Sequence, residues 1–169
     1  MKTNLIVTKP EQFVRGLVED VFQRQLCLAN ATVVYYLEDV LVAHIYAADA
    51  PFLSWPTAYL MNKAIALYEL PLTPTEVQWR LELVQLGNAI LVVLGFCPDM
   101  INGRRRARAA MLLEQLGIRV FRDASKVDGL PAPEAGCLEA VSGQVLIEVA
   151  SDFRLCAKGY QMVRREIGA

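Results

Sequence analysis

One hundred and sixty-nine residues suffice for one domain with a full core and would crowd two. The chain is 54% hydrophobic, and its ten glycines lift the apolar share to about 60%, above the ~45–50% of an ordinary soluble domain. Mean hydropathy is +0.31, while a net charge of −1 and a pI near 5.9 exclude a global electrostatic pull on nucleic acid, though not a local basic patch.

Thr8-Lys9-Pro10-Glu11 predicts the first helix, with Thr8 capping, Pro10 in the first turn and Glu11 as the capping-box partner. It is expected to reach about Ala29 and to bury Phe13, Leu17, Val21 and Phe22. Thr32 to Ala48 begins with strand-forming TVVYYL, but its length and the spacing Val33, Leu37, Val40, Leu41, Ala48 favour a helix. Asp49-Ala50-Pro51 breaks it, and a third helix follows over Pro56 to Glu69. Thr73-Pro74-Thr75-Glu76 supplies cap, N1 proline and N3 glutamate for a fourth, central helix over about 74–95, whose second half is apolar on every side. Beyond Pro98, Asp99 or Asn102 can cap a fifth helix, which the spacing Leu112, Leu116, Val120, Ala124, Val127 carries through Gly117. Asp128 to Pro133 reads as a linker. A long C-terminal helix over about 134–167 carries the stripe Leu138, Val141, Val145, Val149, Cys156, Tyr160, Val163, Ile167. The expected fold is all-α, a single-domain bundle of about six helices spanning 1–169.

The apolar excess needs a destination: an oligomeric interface, a partner groove or a membrane. A spanning helix takes about 20 apolar residues. The best window, Leu83 to Ile101, holds Gln85, Asn88, Pro98 and Asp99, and its uninterrupted core runs only from Ala89 to Cys97. A buried central helix fits better. The start of the chain lacks the apolar region of a secretory signal, and Cys27, Cys97, Cys137 and Cys156 show neither CxxC nor metal-ligand spacing. They read as core thiols of a cytoplasmic protein.

Leu86-Gly87, an apolar stretch, the turn Gly95-Phe96-Cys97-Pro98 and then Arg104 to Arg106 form a recognisable succession. It resembles a family of uncharacterised bacterial helical proteins, in which an LGD-type helix leads to a G-x-F-P turn and an arginine-rich helix start. Asn88 and Cys97 depart from that pattern. The resemblance covers the middle of the chain and implies a bacterial, cytoplasmic, helical protein, with no function attached.

Three polar residues fall on predicted core stripes. His44, the sole histidine, sits amid Val33, Leu37, Val40 and Ala47; it reads as a core histidine bonded to a neighbouring helix, or as a general base or lone ligand. Asn88 lies on the line Val77, Leu81, Val84, Leu91, where an asparagine can fix register or an oligomer interface, or line a ligand pocket. Asp152 lies between Val149 and Cys156 with Glu148 one turn earlier, which calls for a cation such as Arg80 or one of the later arginines. If His44, Asn88 and Asp152 converged they would form a polar, ligand-binding pocket. The cluster Arg104, Arg105, Arg106, Arg108 is a candidate anion site at a helix start, with Asp99, Glu148 and Asp152 as plainer intramolecular partners.

No phosphate loop, G-x-S-x-G, H-E-x-x-H or Glu-x-x-His motif is present, so neither catalysis, metal nor cofactor is expected. The resulting expectation is a helical protein-interaction protein, adaptor- or chaperone-like, that forms a homo-oligomer (most simply a dimer) or meets a protein partner, rather than a nucleic acid or membrane. The alternatives are a ligand-sensing or nucleic-acid-associated regulator using Arg104–Arg108, and an enzyme with a pocket near His44 and Asp152.

Overall fold

The computed structural model describes residues 9–46, 56–69, 75–101, 105–127, 138 and 141–168. Among them the chain forms seven α-helices and no strand: α1 Pro10–Glu19, α2 Ala31–Ile45, α3 Pro56–Glu69, α4 Glu76–Gly95, α5 Arg106–Ser125, α6 Gly143–Ser151 and α7 Phe153–Ile167. A π-helical turn, Asp20–Gln25, prolongs α1, and a 3₁₀ segment, Pro98–Met100, follows α4.

The helix starts differ from expectation in informative ways. Lys9, not Thr8, stands at the head of α1 without a side-chain cap, and Thr8 lies outside the described residues. Thr75 caps α4, its hydroxyl accepting from the Gln78 N–H at 3.2 Å, so the helix begins at Glu76 rather than at Pro74. α5 starts at Arg106, later than Asn102 would have it, and carries no side-chain cap. Val21 and Phe22 are buried as expected and Leu17 partly so, but Phe13 is 53% exposed, and α1 turns Val14 and Val18 inward instead. The linker Asp128–Pro133 lies outside the described residues.

The predicted long last helix is two helices. Ser142 caps α6 by accepting from the Val145 N–H, and the chain breaks at Asp152, whose backbone leaves the helical region at φ −104°, ψ 23°. Val145, Val149, Cys156, Tyr160 and Val163 still share the core, because a break of one residue re-aims α7 without losing the stripe.

α4 is the centre, packing on α2, α3, α5 and α7, with α5 its most extensive neighbour. From Leu86 to Gly95 every residue is buried, as an all-round apolar helix requires. Two glycines set how closely its neighbours approach. At Gly95 an added Cβ would stand 2.9 Å from the Ala157 carbonyl oxygen of α7, and at Gly117 of α5 it would meet the Phe153 ring. Gly117 costs helix propensity, about 1 kcal/mol, but lets that ring reach the core, so α5 runs straight through it. α4 passes the length and composition test for a membrane-crossing helix, yet most of it is buried inside the chain.

Among the described residues two charged side chains are buried as well. Arg80 on α4 is 1% exposed and donates through Nε to the Ala124 carbonyl (3.1 Å) and through Nη2 to the Val141 carbonyl (2.6 Å). Glu38 on α2 is 6% exposed, with Arg15 at 3.7 Å and its Oε1 unbonded. Burial raises the Glu38 carboxyl above its ordinary pKa, against the opposing pull of Arg15.

Candidate functional site

A cavity of about 290 Å³ lies where α2, α3 and α4 meet, with Leu138 closing one side. Its walls include Ala43, Leu60, Leu86 and Ala89; its polar lining is His44, Asn88, Gln85, Lys63 and the Tyr59 ring. Two of the three polar residues predicted to converge therefore do so, from two helices.

Asn88 is 1% exposed, and its Oδ1 accepts from the Tyr36 hydroxyl at 2.5 Å, tying α4 to α2. With the oxygen engaged, the amide N–H₂ is the group this side chain offers to the cavity. His44 is half-buried. Its Nδ1 lies 2.7 Å from the Val40 carbonyl, one turn back on its own helix. A carbonyl only accepts, so Nδ1 bears the proton and the ring is held flat along α2. At the rim Lys63 Nζ meets Glu82 at 3.0 Å, joining α3 to α4 and balancing the charge there. Tyr59 and Gln85 are exposed at the mouth.

Asp152 has no place in this site. It is exposed at the α6–α7 joint, because the break that frees its backbone also turns its side chain to solvent. The cation its burial would have demanded is not needed. Glu148 is served instead by the Asn30 and Gln144 amides at 2.6 and 2.9 Å.

The arginine cluster divides. Arg104 lies outside the described residues, and Arg105 and Arg108 are exposed. Arg106 donates to the Pro98 carbonyl (3.0 Å) and reaches Asp99 (3.4 Å), which also receives Arg164 at 2.6 Å. The Arg164 hydrogen bond and charge hold the Asp99 carboxyl below its usual range. Asp99 is thus the intramolecular partner that the sequence offered.

Among the described residues no three His, Cys, Asp or Glu side chains stand close enough to hold a metal ion. Cys156 is buried, and burial pushes its thiol up to about 12, which leaves it protonated and inert. Cys97 is partly buried. Cys27 is exposed, against expectation, and Cys137 lies outside the described residues.

Compared with protein-family models, curated proteins and solved structures, the chain gives no match. The resemblance at Leu86-Gly87 and Gly95–Pro98 therefore rests on those residues alone.

Sequence reasoning did not single out Lys63, Gln85 or the buried Glu38 as site or core groups, and it offered Arg80 only as a partner for Asp152, not as a buried tie to the Ala124 and Val141 carbonyls. For Arg80 and Glu38 the signal was present: Leu83, Val84 and Gly87 stand at i+3, i+4 and i+7 from Arg80, and Val34, Leu41 and Val42 stand at i−4, i+3 and i+4 from Glu38.

Proposed function

We propose that this protein binds a small, largely apolar molecule in the cavity between α2, α3 and α4, and that it acts as a ligand-binding or ligand-sensing helical domain rather than as an enzyme. The observation that carries the reading is Asn88: a nearly inaccessible amide on the central helix, oxygen engaged by Tyr36, at the wall of a cavity whose apolar lining includes Ala43, Leu60, Leu86 and Ala89. Helical bundles build ligand sites in this way, from single side chains on facing helices. The volume sits at the small end of ligand pockets, about 300–1,000 Å³. The matching ligand has an apolar body and a hydrogen-bond acceptor, such as a carbonyl, at one end. Among the described lining residues there is one imidazole and one paired ammonium but no carboxylate or thiol, a set suited to holding rather than transforming a molecule.

A fluorine-NMR screen of carbonyl-bearing aromatic fragments tests this. Hits should be lost in Ala43→Trp, which fills the mouth from an exposed position and spares the core. Hits that persist in that variant, or an absence of hits, would refute the reading.

A second reading, a helical interaction protein that self-associates, is favoured by the exposed Phe13, Tyr35, Tyr46, Ile65, Met111 and Leu112. Native mass spectrometry separates the two: a dimer without added mass supports association, and a monomer carrying a reproducible adduct supports the pocket.

A further inference from the structure

A larger concavity, about 760 Å³, opens between α5 and α7. Each helix lines it with residues at the same offsets, i, i+1, i+4, i+5 and i+8, counted from Arg106 on α5 and from Phe153 on α7. That is one face of each helix over about 12 Å. The two helices run antiparallel here, and among the described residues ion pairs tie them near the ends of the trough. Arg154 Nε meets Glu114 at 2.6 Å at one end, and at the other Asp99 bridges Arg106 and Arg164. Between the ties the walls are low, because Ala107, Ala110 and Ala157 face each other there, and Leu94 and Ile101 form the floor. Met111 stands half-exposed on one wall.

The charge of this trough differs from that of the chain. Arg106, Arg154 and Lys158 line it with Glu114, in a protein whose net charge is −1; Glu114 pairs with Arg154 and Asp99 with Arg106, which leaves Lys158 as the lining cation still to be met. Lys158 is exposed and makes no ion pair among the described residues. Lys158 would meet an acidic group, but an apolar floor offers nothing to a phosphate backbone, and the only aromatic side chain among the described lining residues, Phe153, is fully buried and so unable to stack a base. A narrow concave channel suits a helix better than a flat surface. A helix laid in it would sit on α4, α5 and α7 as the fourth member of a bundle, at the usual spacing of about 8–10 Å.

We propose that the trough docks an acidic amphipathic α-helix of a partner protein, its apolar face on Ala107, Ala110, Met111 and Ala157 and a carboxylate on Lys158. This is independent of the cavity between α2, α3 and α4.

The experiment is selection from a displayed library of helical peptides about four turns long, with leucines fixed at i, i+3, i+4 and i+7 and the flanks randomised among Glu, Gln and Lys. Glutamate-flanked peptides should be enriched on the wild type and lost on Ala110→Trp, which fills the trough. The best peptide should bind Lys158→Glu at least ~10-fold more weakly, the loss of one charge pair. Lys158 is exposed, so that variant keeps the fold, and circular dichroism checks Ala110→Trp. Enrichment of lysine flanks, or equal enrichment on Ala110→Trp, overturns the proposal, as does the absence of any enrichment. A wild type that sediments as a dimer while Ala110→Trp sediments as a monomer also overturns it, since a second copy then fills the trough.

Discussion

Replacing Arg80 by methionine tests the account of what holds the second half of the fold. The guanidinium joins three elements: it leaves α4, bonds the Ala124 carbonyl in the last turn of α5, and bonds the Val141 carbonyl just before α6. Exchanging a complete buried ion pair for apolar residues is often neutral, because both charges leave together. Here the described partners include two backbone carbonyls, which no side-chain substitution removes. Ala124 keeps the Val127 N–H at 3.3 Å, whereas Val141 loses a charge-assisted bond of 2.6 Å inside the protein. Such bonds are worth about 1.5–3 kcal/mol each, and relief of the buried charge returns part of the loss. A net cost of about 3 kcal/mol follows. For a domain of this size it lowers Tm by about 6–12 °C. Arg80→Lys, a single point donor without the fork, should recover roughly half of it. Urea unfolding followed by circular dichroism measures this, with an unchanged m-value showing that stability alone has moved. If Arg80→Met unfolded within ~0.5 kcal/mol of the wild type, the tie between α4, α5 and α6 would be energetically empty and the reasoning refuted.

Glu38 has a folded pKa above its unfolded value, so its contribution is intact below the unfolded pKa, near 4.5, and is lost as pH rises through the folded one. Glu38→Gln should therefore raise stability at neutral pH by about 1–2 kcal/mol and flatten the decline above pH 4.5; parallel pH–stability curves for the two proteins would contradict this. Gly95→Ala should lose about 1–3 kcal/mol despite a better helix former, because the Ala157 carbonyl oxygen it meets is backbone and cannot swing aside. Thermal unfolding of Gly95→Ala beside Gly16→Ala, where an added Cβ meets nothing, separates crowding from propensity. Cys27 closes the π-turn at φ 54°, as Leu28 N–H bonds back to the Phe22 carbonyl at 2.8 Å. Cys27→Gly should stabilise by about 1 kcal/mol, and a fall in Tm would show the left-handed backbone there to be unstrained.

The bundle was legible because its helices announce themselves locally, through Pro10, Pro56 and the run Thr73-Pro74-Thr75-Glu76 near their starts, although the cap in that run is Thr75 and not Thr73, and through an apolar period along their length. The errors fall where tertiary packing decides. Phe13 and Val14 are equally good core residues by pattern, and only the direction in which α2 lies puts Val14 inside. Asp152 satisfies the apolar stripe of a straight helix, but a straight helix is what the chain declines to make there. A period of 3.6 carries no information about a one-residue break whose flanks keep the same face. His44 and Asn88 were legible as misplaced polar residues. That they share a cavity was not, since α2 and α4 are joined through a third helix and their rotation about one another is written in no local spacing.

The apolar surplus that suggested an oligomer or a membrane has a nearer source in α4. A helix packed on one side needs an apolar stripe, whereas one surrounded by α2, α3, α5 and α7 needs apolar residues all round, and that raises the hydrophobic share of a small chain without any exposed patch. Enclosure of α4 is incomplete in two places. One is around Gln85–Ala89, where α2 and α3 diverge and leave the cavity that Asn88 lines; the other is at Leu94, where α5 and α7 part above the trough. Both openings bear polar or charged side chains at their edges and apolar ones within. A gap that served packing alone would be closed by larger side chains, yet alanines stand at 43, 89, 107, 110 and 157. Small residues along both gaps, beside the polar or charged side chains at their edges, are the feature that a purely structural account of this bundle does not need.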